Sequence, residues 1–289
     1  MYNIGILQLT QHLDDAVHGF KYGLEQEKIT AHFHYLNADG NIDLLPNLAA
    51  ELAQQKVDLI FACSTPSAQA ALNLIDPIPV IFTPVFDPVG SGLIDSMSLP
   101  GGKATGVAGM VPAHAKVTFM QRLLPTAHTL GILYHTADAN SIAEVENFRK
   151  LQNPPFTLVE IPIHTAEDLS KLPDLLATDL DALFLPIGRV VEENFATIVY
   201  YTDTISLPVI TSHAPNVPSG ALGALVANHY QLGIECAAKA KDILSGTRPA
   251  VIPVDTVQKP EILLNDFAAQ NLGLTLPADL VAKAKEIFE

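Results

Sequence analysis

The chain has 289 residues, close to two domains at roughly 150 residues each. Lys and Arg number 16 against 31 Asp and Glu, a formal charge of −15 that repels phosphate backbones and excludes nucleic acid as an expected partner. Apolar residues make up 48%, enough for a packed core, yet no apolar run reaches the roughly 18 to 20 residues of a membrane span.

Apolar strand-like runs alternate with helix-like stretches along the chain. Residues 4–9 read as a strand, and 13–26 as a helix with Val17, Phe20 and Leu24 on one face. A strand over 32–36, a helix over 44–55, a buried strand over 57–63, a helix over 66–74 and a strand over 79–82 follow. The pattern then restarts, with strands over 129–134, 157–161, 180–185 and 208–211 and helices over 141–151, 165–177 and 192–205. Continuous apolar strands joined by helices predict an α/β fold with parallel sheets covered on both faces. Two successive sets predict two doubly wound lobes, with a break within 109–115.

The tail changes style. It reads as a strand over 222–227, a helix over 230–244 ended by Gly246, and a short strand over 252–254. A strand over 261–265, a helix from about Asp266 and a final helix over 277–288 complete it. So much chain after the second set predicts that the tail returns to the first lobe. The expected lobes are 1–111 with 226–256, and 112–225 with 257–289.

Two cysteines, Cys63 and Cys236, make no disulfide framework and no zinc site; they would form one bridge, or pack as unlinked thiols in the manner of small apolar residues. Met1 runs almost directly into the first strand. The chain is therefore expected to be either cytoplasmic or a mature secreted domain whose leader has been removed.

In open parallel sheets, ligands bind beyond the carboxyl ends of the strands. That rule selects the loops carrying Gln11 and His12, Ser64 and Thr65, Phe86 and Asp87, Tyr134, His135, Asn140 and Ser141, Gly188 and Arg189, and Ser212 and His213. Ser64-Thr65-Pro66 reads as a capped helix start whose N–H groups favour a carboxylate or phosphate. Ser141-Ile142-Ala143-Glu144 reads as a capping box, and facing another helix end it would clamp a small polar ligand. Asp87 would accept an amine or hydroxyl, or close a turn before Pro88. Arg189 would anchor a carboxylate, or pair with Glu192 or Glu193. Phe82, Phe86, Tyr134 and Tyr201 would wall a pocket, or belong to the lobe cores. His32 and His34 share a strand face without a third metal ligand in view. Gly90 and Gly92 lack the third glycine of a dinucleotide fingerprint, and no hydrolase, P-loop or zinc-protease motif is present.

These residues resemble one family. Ser64-Thr65-Pro66-Ser67-Ala68-Gln69-Ala70, Pro79-Val80-Ile81-Phe82 and Asp87-Pro88-Val89-Gly90-Ser91-Gly92-Leu93 are similar to the ABC-transporter substrate-binding family of the tryptophan and tyrosine/phenylalanine binding lipoproteins. Ile4-Gly5-Ile6-Leu7-Gln8, Pro100-Gly101-Gly102, Thr105-Gly106-Val107, Gly131-Ile132-Leu133-Tyr134, Asn140-Ser141 and Gly220-Ala221-Leu222 extend the likeness over nearly the whole chain. The resemblance implies a type I periplasmic-binding-protein fold: two Rossmann-like lobes, a multi-segment hinge, and a ligand cleft between the lobes. It implies an extracytoplasmic receptor, anchored outside the cell or in the periplasm, that passes an aromatic amino acid or related small carboxylate to an ABC permease. A monomer without cofactor or metal is expected.

Two departures bear on the ligand. Relatives usually carry Asp-Asn after the strand that ends Leu185-Pro186, where this chain has Ile187-Gly188-Arg189. The first loop, between Gln8 and Phe20, is also shorter. Aromatic and other small carboxylates therefore stand beside amino acids as expected ligands. A ligand-sensing domain of a signalling system is the alternative. An isomerase pairing Asp87 with His135 or His213 is a further one.

Overall fold

Buried strands alternating with helices build two sheets in the computed structural model, which describes residues 1–76, 78–176 and 179–289. The chain divides into unit 1, Met1–Met110 with Ala227–Gln258, and unit 2, Val111–Val226 with Lys259–Glu289.

The first pass through unit 1 lays down β1 (Tyr2–Gln8), α1 (Asp14–Gln26), β2 (Ala31–Asn37), α2 (Leu45–Gln54), β3 (Leu59–Cys63), α3 (Thr65–Leu72), β4 (Val80–Val85) and β5 (Ala104–Ala108). Unit 2 follows with α4 (Ala113–Leu123), β6 (Thr129–His135), α5 (Ala139–Arg149), β7 (Thr157–Ile163), α6 (Leu172–Leu175), β8 (Ala182–Leu185), α7 (Arg189–Glu193), α8 (Phe195–Thr204), β9 (Val209–Thr211) and β10 (Gly223–Val226). The chain then returns to unit 1 as α9 (His229–Leu244). It ends in unit 2 with β11 (Glu261–Asn265), α10 (Asp266–Asn271), α11 (Ala278–Val281) and β12 (Glu286–Phe288).

Unit 1 holds a parallel sheet of order β2-β1-β3-β4-β5. Unit 2 holds the order β12-β11-β10-β9-β8-β6-β7, in which only the β10–β11 pair is antiparallel. In each sheet the chain winds out to one side and then back to the other, so each has a switch point, β1/β3 in unit 1 and β6/β8 in unit 2. Crevices at the carboxyl ends of such neighbours are where ligands bind.

The core of unit 1 stacks Phe20 of α1 on Phe61 of β3, with ring centroids 4.0 Å apart and planes 3° apart. Next to it α9 lies directly on α1. A Cβ at Gly233 would stand 2.1 Å from the Ala16 carbonyl oxygen, and one at Gly19 would stand 1.9 Å from that of Tyr230. Only glycine permits this approach. Unit 2 is filled by Leu133, Leu183, Leu185, Val191 and Ile198, all buried.

Several predicted elements differ in form. Residues 252–254 are not a strand. A 3-10 turn (Pro249–Val251) and Pro253 leave too few N–H groups for a ladder, and one parallel bridge, Val107 to Asp255, takes its place. The final helix stops at Val281, and Glu286–Phe288 becomes an edge strand parallel to β11, with Ile287 opposite Leu264. The stretch predicted as a helix over 165–177 is a 3-10 segment (Ala166–Lys171) followed by short α6, because Pro173 cannot continue an N–H ladder; its predicted end at Ala177 lies outside the described residues. The helix over 192–205 starts earlier, at Arg189, and breaks at Asn194, whose side chain turns back to the Val190 carbonyl (2.8 Å). β5 and α4 are additional to the expected elements.

The 3-10 segment is pinned by Asp168. Its carboxylate accepts from Lys171 Nζ (2.8 Å) and from the backbone N–H groups of His164 (2.9 Å) and Thr165 (3.1 Å). Lys171 and these two amides hold the Asp168 pKa well below its ordinary 3.8. A depressed carboxylate stabilises the fold above its unfolded pKa, and the effect is lost as pH falls through the folded one. Asp168→Asn is therefore expected to lower the melting temperature at pH 7, with the gap to the parent closing as pH falls below 3.8. A gap that stays constant between pH 7 and pH 2 would contradict this assignment.

Candidate ligand-binding site

At the β1/β3 switch point of unit 1, the chain leaves β3 through Ser64. Its φ of 102° is a left-handed backbone rarely adopted by a side-chain-bearing residue. This turn aims α3 so that Ser64 caps it, accepting from Ser67 N (3.4 Å), with Pro66 in the first turn. No acidic residue lies in that turn, so the positive end of the helix is not neutralised from within. Thr65 is half-buried beside it. Across the switch point, fully buried Gln8 ends β1. Its amide donates to Thr10 O (2.7 Å) and Asp14 Oδ1 (2.9 Å) and accepts from Tyr35 OH (2.8 Å), which fixes the loop that exposes Gln11 and His12. Beyond β4, Phe86 is half-buried and Asp87 is exposed. Asp87 closes its own turn by accepting from Gly90 N (2.8 Å).

At the β6/β8 switch point of unit 2, Asp138 caps α5. Its Oδ1 accepts from Asn140 N (2.9 Å) and Ser141 N (3.0 Å), and its Oδ2 accepts from Arg189 N (3.2 Å). Glu192 Oε1 accepts from Gly188 N (3.0 Å), and its other oxygen lies 3.6 Å from His213 Nε2. A Cβ at Gly188 would sit 2.3 Å from Ser141 Oγ and 3.6 Å from Asp138 Oδ2, so the loop after β8 has no room for a side chain there.

Beneath this surface lies a buried ion pair. Lys116 of α4 and Glu144 of α5 are in contact, with side chains 4% and 1% exposed. Lys116 Nζ donates to Ser212 Oγ (2.7 Å), and Ser212 Oγ donates to Glu144 Oε1 (2.5 Å). Glu144 Oε2 accepts from Ile187 N (2.9 Å). Burial pulls the Lys116 pKa down, and the touching Glu144 carboxylate opposes that pull and favours the charged ammonium at this depth.

The structure reassigns several residues. Ser141 does not cap α5, because Asp138 does. Ser141 is fully buried, donates to Ile187 O (2.9 Å), and forms no capping box, since Glu144 is committed to Lys116 and Ser212. Asn140 is exposed beside it. Tyr134 does not wall a pocket. Its hydroxyl donates to Glu160 (3.1 Å), within the Arg149 network under α5. Phe82 is core, and Tyr201 packs against the core of unit 2. Arg189 is not a free anchor, because its Nε is tied to Glu193 (2.7 Å) and its side chain is 82% exposed. Ser212 is absorbed by the ion pair. His135 Nε2 meets His164 O (2.9 Å), and His213 Nδ1 meets Asn216 Oδ1 (3.2 Å). Cys63 and Cys236 are free and buried, and burial pushes both thiols up, away from reactive thiolates. Residues that sequence reasoning missed are Gln8, Asp14, Lys116 and Asp138.

A family model described as ABC transporter substrate binding protein matches residues 3–288. The chain belongs to this family. It is 31% identical over 293 residues to the tyrosine-binding protein of Clostridioides difficile strain R20291, covering 98% of this chain and 84% of that protein. Among solved structures it is similar to the ligand-free, open form of a substrate binding protein with adhesive properties from Clostridium difficile (29% identity, TM-score 0.89, 100% and 99% of the two chains). It is also similar to an ABC domain from Streptococcus pneumonia in complex with L-Trp (26% identity, TM-score 0.79, 99% of each chain). A branched chain amino acid ABC transporter periplasmic ligand-binding protein from Burkholderia xenovorans LB400 shares the fold (14% identity, TM-score 0.64, 87% and 80%). Like other ABC transporter substrate binding proteins, the chain is an extracytoplasmic solute receptor of the type I periplasmic-binding-protein fold. Among the described residues, no helix is long and apolar enough to cross a membrane, and no cluster of three His, Cys, Asp or Glu is placed to hold a metal.

Proposed function

We propose that this protein captures an aromatic amino acid and presents it, as a monomer anchored outside the cytoplasm, to an ABC permease. The observation that carries this reading is the sign of the charges at the unit 2 strand ends. Asp138 and Glu192 line them, whereas Arg189 is turned along its own helix and Lys116 is buried in its pair. Such a surface suits an ammonium group and repels a lone carboxylate. In unit 1 the start of α3, with Ser64, Thr65 and no acidic residue in its first turn, suits a carboxylate. Half-buried Phe86 offers an aromatic face. The relatives named for tyrosine and solved with L-Trp support the aromatic class.

The acid–base reading is not favoured. Within unit 1 Asp87 Oδ1 closes its own turn onto Gly90 N, and within unit 2 His135 Nε2 meets His164 O and His213 Nδ1 meets Asn216 Oδ1. A thermal-shift screen tests the proposal. At a hundredfold excess over Kd, a ligand stabilises by about 2.7 kcal/mol, a shift of several degrees. L-tyrosine, L-tryptophan or L-phenylalanine is expected to give it. Stabilisation by aromatic acids alone would move the assignment to carboxylates.

A further inference from the structure

The pair Lys116–Glu144 is buried, with Lys116 Nζ 5.5 Å from the ring centroid of Phe184 in β8, and three side-chain hydrogen bonds run from it to strand-end loops of unit 2. Glu144 Oε2 holds the backbone N–H of Ile187, the residue before Gly188. Glu144 Oε1 and Lys116 Nζ hold the hydroxyl of Ser212, the first residue after β9. Ser141, one turn before Glu144, takes the carbonyl of the same Ile187. The loop after β8 is thus gripped at both its N–H and its C=O from α5. Charge is not needed to fill this space. A well-packed apolar pair is often as stable as a buried ion pair or more so, which makes retention of the ions a matter of what they hold.

We propose that Lys116 and Glu144 are positioning residues of the ligand site, fixing the loops after β8 and β9 in the geometry that receives the ligand. The proposal rests on the reading that ligand binds at these strand ends. Its structural half can be read without any ligand. Gly188 and Glu192 exchange a hydrogen bond next to the held Ile187, so loosening Ile187 displaces the acidic end assigned to the ammonium. Small misplacements of a polar group weaken recognition steeply.

The test uses Lys116→Met/Glu144→Leu, which exchanges the ions for apolar side chains of similar volume, and Lys116→Arg, which keeps the charge. Hydrogen exchange on the ligand-free protein is read for peptides covering 185–190 and 211–214, with the β6 peptide as an internal standard. The double variant is expected to melt near the parent and to keep β6 protected, but to exchange the two loops at least about tenfold faster. Its affinity for the parent's best aromatic amino acid is expected to fall about tenfold or more. Lys116→Arg is expected to keep both properties at the parent's level. A folded double variant with parent-like loop protection overturns the proposal. So does one with loosened loops that binds as tightly as the parent. A parent that binds no aromatic amino acid, while its loops still depend on the pair, refutes the functional reading and leaves the positioning role supported.

Discussion

Lys116→Met is expected to destabilise unit 2 by about 3–5 kcal/mol, one of the two largest effects of single substitutions anticipated in this protein. The cost does not come from losing a favourable pair. It comes from leaving the Glu144 carboxylate at 1% exposure without its counter-ion. Ser212 Oγ and Ile187 N remain as donors, but neither carries a charge. Rescue is expected for the same reason. Adding Glu144→Leu removes the stranded charge, and most of the lost stability should return. Urea unfolding of the parent, the single variant and the double variant would measure this. A double variant less stable than the single one would contradict the account.

Phe20→Ala is expected to cost unit 1 about 3–5 kcal/mol. Phe20 is fully buried and lies flat on Phe61. The cost belongs at the upper end of that range, because the site cannot collapse. α1 already rests on α9 through Gly19 and Gly233, with backbone atoms where side chains would otherwise stand. A cavity that cannot relax keeps its full penalty. Phe20→Leu, which leaves less space, should cost less than half as much. Equal costs for the two variants would show that the helices do move.

Much of this architecture was legible in the chain, and the reason is physical. Strands buried on both faces are continuous apolar runs, so Leu59–Cys63 and Ala182–Leu185 announce themselves. α4 did not, because its apolar stripe of Ala113, Val117, Met120 and Leu123 carries Lys116 in line with the core. A buried ion among core positions reads as a surface charge until its partner is known. β5, with the sequence Ala-Thr-Gly-Val-Ala, is too weakly apolar to stand out, and Gly106 is required there by the approach of the Phe82 carbonyl.

For the candidate site, the sequence points to loops and not to contacts. Ser64 and Gly188, which the strand-end rule selected, lie between β3 and α3 and between β8 and α7. The rule could not tell which side chains those loops spend on themselves. Ser141 and Glu144 matched a capping box by spacing, but Asp138 stood closer to the helix start and captured the amides first. Arg189 had an acidic partner one turn on and took it. Local partners win such contests because they require less ordering of the chain.

The proposed ligand is an aromatic amino acid recognised by its ammonium as well as its carboxylate. Calorimetric titration of L-tyrosine, L-tryptophan and L-phenylalanine, each beside the same molecule without its amino group, tests it most directly. The account predicts saturable binding of at least one amino acid, with its deaminated counterpart weaker by about tenfold or more, the worth of one charge-assisted hydrogen bond. Equal or tighter binding of the deaminated acid would contradict it.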